Sequence, residues 1–163
     1  MSEDLRNLAD RIREEMTELA LVVERVKEGW QRAKASSDDF YLDAVALNLH
    51  GFYSGMERLF ELIAETIDGG TPHGANWHKL LLEQMVREIP GVRPAVLSVE
   101  AVRLLENYRG FRHVVRNVYA YKFDSAKVEG LVEAIPGTFA RTQEELLAFA
   151  DFIEQARSGN SFE

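Results

Sequence analysis

Apolar residues recur along this chain at three- and four-residue steps, the spacing that lines up one face of an α-helix. Leu5, Leu8, Ile12, Met16, Leu19, Val23, Val26 and Trp30 keep that step and predict one long amphipathic helix over residues 4–35. Ser36-Ser37-Asp38-Asp39 follows, four short polar residues that can stop one helix and cap the next by accepting its free backbone N–H bonds. Leu42, Val45, Leu49, Phe52, Met56, Leu59 and Ile63 hold the strictest pattern in the chain, so the second helix is expected at the centre of the core. Gly51 and Gly55 stand four apart beside that stripe, where a neighbouring helix or a second subunit can approach closely.

Punctuation divides the rest. Asp68-Gly69-Gly70-Thr71-Pro72-His73-Gly74 is a loop signal, because Gly permits positive φ and Pro blocks helix continuation. A short third helix is expected from Trp77 to about Met85, ending before Pro90-Gly91. Ser98 can cap a fourth helix, although a full capping box would need Glu or Gln where Ala101 stands. Leu104, Tyr108, Phe111, Val115 and Val118 then form a buried stripe that carries this helix to about Tyr121. A last helical region, residues 125–157, contains Pro136-Gly137, where a kink or break is expected. Strand-like alternation and internal repeats are lacking. The fold class that follows is all-α: an antiparallel up-and-down bundle of about five helices in one domain, residues 1–163, with a frayed tail from about residue 158.

Composition narrows the chemistry. With 46% hydrophobic and 28% charged residues the chain is globular, and the absence of cysteine excludes disulfides, thiolate chemistry and iron–sulfur clusters. No apolar run is long enough to span a bilayer and the charged start is unlike a signal peptide, so a cytoplasmic protein is expected. A net charge of −8 argues against a general nucleic-acid coat and demands a local basic patch for any such binding. Phosphate-binding glycine loops fail for want of a strand or a following Lys-Ser/Thr pair. His50, His73, His78 and His113 show no HExxH or i, i+4 pairing, so no metal site is expected. The paired acids Glu14-Glu15, Asp38-Asp39 and Glu144-Glu145 fall on hydrophilic faces, in turns or in first-turn positions.

The exception is the segment from Tyr108 to Lys122. Between Glu106 and Asp124 it has no carboxylate, yet it carries Arg109, Arg112, Arg116 and Lys122. On a helix Arg112, Arg116 and Tyr119 stand at i, i+4 and i+7, so two guanidinium groups and a phenol would share one face. Guanidinium forks suit phosphate oxygens and tyrosine rings can stack on unpaired bases. Spacing alone also permits ion pairing of these arginines with neighbouring helices, and half-buried tyrosines at the core edge.

Arg112, Asn117 and Tyr119 resemble the R-x-x-x-x-H-x-Y motif of HEPN-domain proteins, in particular the HepT-like toxins of prokaryotic toxin-antitoxin pairs. The string FRHVVRNVYAYKFD, the Gly69-Gly70-Thr71-Pro72 loop with Asn76-Trp77-His78, and the two long opening helices extend the resemblance over most of the chain. It implies a homodimer of helical bundles whose motifs face each other across a cleft, RNA as substrate, metal-independent endoribonuclease activity, and no cofactor. Carried over residue by residue, it makes Arg112 the group that binds the scissile phosphate; Arg116 has no fixed role in the motif, but from their positions beside Arg112 it, Arg109 and His113 are expected as further substrate contacts. Tyr119 corresponds to the tyrosine that a partner minimal nucleotidyltransferase, the antitoxin, adenylylates. Asn117 departs from the pattern. An amide donates and accepts hydrogen bonds but does not exchange a proton near neutral pH, so cleavage needs another group or is lost. His113 is near in sequence but at a different helical angle. A non-catalytic subunit that docks the nucleotidyltransferase is the other function compatible with these residues.

Overall fold

The computed structural model describes residues 2–159 and contains, among them, five α-helices: α1 (Ser2–Ala35), α2 (Phe40–Ile63), α3 (Trp77–Val86), α4 (Val99–Asn117) and α5 (Ser125–Gly159). The three long helices α1, α2 and α5 pack side by side, α2 touches every other helix, and the short α3 sits against α2 and α4. This is the expected all-α bundle. The heptad-like stripes are its core: Leu8, Ile12, Met16, Leu19, Val23 and Val26 of α1 meet Val45, Leu49, Phe52, Met56, Leu59 and Ile63 of α2, all buried. No described helix is long and apolar enough to cross a membrane.

Local chemistry sets the boundaries. Ser36 Oγ accepts from Asp38 N and the Asp38 carboxylate accepts from Phe40 N, each at 3.0 Å, which turns the chain from α1 into α2. The α2 helix ends in one π-helical turn, Ala64–Asp68, closed by Gly69 at φ 85°, a conformation that favours glycine. Ser98 caps α4 by accepting from Ala101 N at 3.1 Å. The acid missing at Ala101 is supplied from another helix: the Glu145 carboxylate accepts from Ser98 N and, at 2.9 Å, from Ser98 Oγ. Glu145 therefore completes a capping box across the bundle instead of lying idle on a hydrophilic face.

Three expectations are corrected. The α4 helix stops at Asn117, not Tyr121: Val118 goes extended while its N–H still bonds to Val114 O at 2.9 Å, and the Asn117 amide folds back to donate to His113 O at 2.8 Å. Tyr119 also lies in extended backbone, followed by one 3₁₀ turn, Ala120–Lys122. It does not share a helix face with Arg112 and Arg116. No break occurs at Pro136-Gly137, since α5 runs through both. Pro136 and Gly137 face solvent, while Val132 and Ile135 before them and Phe139 and Leu146 after them are buried in one core that holds the helix together. Of the tail expected from about residue 158, Ser158 and Gly159 are part of α5, and residues 160–163 lie outside the described residues.

Gly55 meets α1: a Cβ there would stand 2.7 Å from Leu19 Cδ2, so the close approach is made by a helix of the same chain. Gly51 has open space around it.

The α3 helix buries only Leu81, Leu82 and Met85 and is held at its far end by Arg93. With its side chain fully buried, Arg93 donates to Asp68 at 2.6 and 2.8 Å, to the carbonyls of Arg87 and Pro94 at 2.7 and 3.0 Å, and to Gln84 O at 3.2 Å. One guanidinium thus ties the end of α2, the end of α3 and the loop before α4 into a unit. It fixes the C-terminal end of α3, whose first turn carries Trp77, His78 and Lys79 to the site described next.

Candidate functional site: a basic groove with a buried Glu–His pair

A groove of about 660 Å³ opens where α3 approaches α4, lined by Asn76, His78 and Lys79 from one side of the sequence and Arg109, Arg112, His113, Arg116 and Asn117 from the other, with Ala75. No carboxylate lines it. Five of the six residues singled out at the motif, Arg109, Arg112, His113, Arg116 and Asn117, come together here. Tyr119 does not line the groove. It is 73% exposed beyond the end of α4, its ring stacked on that of Tyr121 at 6.0 Å and 9°.

Behind the groove lies a group that periodicity did not single out. Glu57 sits on the core-facing side of α2 and is only 4% exposed. Its carboxylate is 2.8 Å from His78 Nδ1 and 4.0 Å from Arg112 Nε. His78 Nε2 lies 3.2 Å from Arg112 Nη1. A guanidinium can only donate, so Nε2 accepts, and the His78 proton resides on Nδ1, donated to Glu57. Trp77 packs against the imidazole at 3.6 Å between ring centres. Three helices thus each supply one member of a chain, Glu57–His78–Arg112.

Arg112 is partly engaged in this chain but not enclosed by it. Its side chain is 18% exposed and borders the groove, and its buried Nε has no hydrogen-bond partner. A permanently charged fork at the wall of a basic groove is suited to an anion with several oxygens. Arg109 is turned toward its own helix, where Glu106 accepts at 2.7 Å. Asn117 Nδ2 lies 3.2 Å from His113 Nδ1 in addition to its bond to the His113 carbonyl, so these two exposed side chains occupy each other.

His50 of α2 is near enough to feel the same cations. Burial first, then the charges of Arg112 and Arg116, hold its imidazole below the ordinary histidine range, and its buried Nε2 has no partner. Tyr53, one turn on, is pushed above the usual tyrosine range by burial and by Glu57. Among the described residues no group of three or more His, Asp or Glu side chains could hold a metal ion.

A signal for Glu57 did exist in the sequence. It stands between Tyr53 and Phe60 at helical spacing, an acid on a face that is otherwise apolar, and such a residue needs a partner. The partner could not be read, because His78 lies on a different helix across the 69–76 loop.

No curated protein and no solved structure matches the chain. The model of the family described as HepT-like protein matches residues 44–153, which take in α3, α4, the groove and nearly all of α2 and α5. With about two thirds of its length matched, including each member of the Glu57–His78–Arg112 chain, the protein belongs to the HepT-like family.

Proposed function

We propose that this protein is the toxin component of a prokaryotic toxin-antitoxin module, a homodimer that binds RNA along the Arg112 groove and cleaves it without a metal. The observation that carries the reading is the groove itself: Lys79, Arg109, Arg112 and Arg116 gather around a space with no lining carboxylate, in a chain of net charge −8. Such a concentration of cations against the overall charge favours a polyanion at this one place. Arg112 has the role of holding the scissile phosphate and the charge that builds on it, Arg116 and Arg109 contact flanking phosphates, and His113 and Asn117 hydrogen-bond to the sugar-phosphate backbone.

Tyr119 favours a second element of the module. Its exposed phenol, two residues beyond Asn117, is available to a nucleotidyltransferase partner acting as antitoxin. Adenylylation there would add a negative charge and a bulky group next to a cationic groove and so oppose RNA entry. The non-catalytic reading, a subunit that docks the transferase, rests on the same exposure.

The test uses the purified full chain, a labelled single-stranded RNA and excess EDTA. Wild type is expected to bind and cut the RNA. Arg112→Ala, verified as folded by circular dichroism, is expected to lose cleavage by on the order of 10²-fold or more. Undiminished cleavage by that variant, or no RNA binding by wild type at low salt, contradicts the proposal. Binding without cleavage, together with transfer of adenylate to Tyr119 by a partner enzyme, favours the docking reading.

A further inference from the structure

Scission of RNA at its own 2′-hydroxyl needs a group that takes the 2′ proton while that oxygen attacks phosphorus, and an asparagine at 117 cannot take it. We propose that His78, oriented by Glu57, is the proton acceptor for cleavage in the Arg112 groove; the inference rests on the RNA-cleaving reading above.

Four observations single out His78. It lines the same groove as Arg112 but is carried by α3, so acceptor and phosphate-binding fork reach the groove from separate elements. Its unprotonated nitrogen is already fixed: Nδ1–H is donated to Glu57 at 2.8 Å, which leaves Nε2 with its lone pair toward Arg112 at 3.2 Å. A phosphate held on Arg112 brings the adjoining 2′-hydroxyl to this nitrogen. Glu57, 4% exposed, lies behind the ring and can stabilise the imidazolium that forms, as a buried carboxylate does behind a catalytic histidine. Finally, Trp77 packs against the ring at 3.6 Å between ring centres, which supports its position.

The other histidines lack this arrangement. His113 Nδ1 faces the Asn117 amide and the ring is exposed. His50 is not part of the groove lining, and its buried Nε2 has no hydrogen bond. His73 is exposed in the loop between α2 and α3 and is not part of the groove lining.

In the free protein Arg112 Nη1 covers the Nε2 lone pair. Phosphate oxygens compete for that N–H, and as they draw the guanidinium away the acceptor is uncovered beside its substrate. The 2′ O–H bond breaks with its proton passing to Nε2, and the 2′-oxygen forms its bond to phosphorus. The bond from phosphorus to the 5′-oxygen breaks, and the departing oxygen takes a proton from water. His78 returns its proton to the hydroxide left behind. The products are a 2′,3′-cyclic phosphate and a 5′-hydroxyl, with no net change in protons.

The test compares binding and single-turnover cleavage of one single-stranded RNA, in EDTA, by wild type, His78→Gln, His78→Ala and Glu57→Gln. The glutamine at 78 keeps an acceptor in front of Arg112. It is expected to hold RNA affinity within about threefold while cleavage falls by on the order of 10²–10⁴-fold. Added imidazole is expected to restore part of the cleavage to His78→Ala, a rescue that a merely structural histidine would not give. Glu57→Gln is expected to slow cleavage by about tenfold or more with binding unchanged. Cleavage by His78→Gln within about threefold of wild type overturns the assignment and leaves the RNA-cleaving reading standing. Wild type that binds RNA without cutting it also overturns it, and wild type that neither binds nor cuts overturns both.

Discussion

Removing the Arg93 guanidinium should unfasten the part of the bundle that presents His78. The Arg93 and Asp68 side chains are 0% and 4% exposed, so both are shielded from water in the folded protein. In Arg93→Ala the Asp68 carboxylate keeps one partner, Gln84 Nε2 at 2.7 Å, and loses both guanidinium bonds, while the carbonyls of Gln84, Arg87 and Pro94 lose a donor. Breaking a buried pair from one side costs about 3–5 kcal/mol, because the remaining charge is left uncompensated. For a domain of this size that is a fall in Tm of roughly 6–20 °C. The charge is the larger part of the cost, so Asp68→Asn added to Arg93→Ala should cost little more, and the cycle should show a coupling of about 2 kcal/mol or more. Urea unfolding followed by circular dichroism at 222 nm measures each corner. An Arg93→Ala cost below about 1 kcal/mol, or strictly additive effects of the two substitutions, refutes the idea that this pair clamps α2, α3 and the α4 approach.

Three further outcomes follow from the packing. Glu145→Ala should destabilise by about 1–3 kcal/mol in urea melts, because Ser98 loses the charged acceptor of both its N–H and its hydroxyl. Gly55→Ala should be destabilising, since its new methyl displaces Leu19 Cδ2, whereas Gly51→Ala, with space around it, should gain about 0.5–1 kcal/mol of helix propensity. His50 is held below the ordinary 6.5, so the unfolded chain takes up its proton at a higher pH than the folded one does. Stability should therefore decline as pH falls below that value, and urea midpoints of His50→Gln should decline less over the same range.

The bundle was legible because its stripes are local. Periodicity alone places Leu8 to Val26 and Val45 to Ile63 in the core, and Ser36 to Asp39 between the helices. The failures share a cause, which is competition between a local signal and a contact distant in sequence. Pro136 is a helix breaker by its own chemistry, but buried neighbours on both sides keep α5 continuous. Ser98 lacks a capping acid three residues on, and Glu145 supplies it from α5. Val118 and Tyr119 fit the helical spacing, yet both lie in extended backbone and the helix ends at Asn117. At the site, the sequence identifies one wall, Arg109 to Asn117. The other wall, His78 and Lys79, and Glu57 behind it depend on how α2 and α3 pack, and no spacing rule joins residue 57 to 78 or 78 to 112.

The salt dependence of RNA binding tests the central claim, a cationic groove that holds a phosphate backbone, most directly. Affinity for a single-stranded RNA should fall steeply with salt, and Arg116→Ala should weaken binding at every salt concentration while reducing the slope of log affinity against log salt by about one, since one phosphate contact is lost. Arg112→Ala and Lys79→Ala should act in the same direction. Affinity and slope unchanged in all three variants would contradict the account.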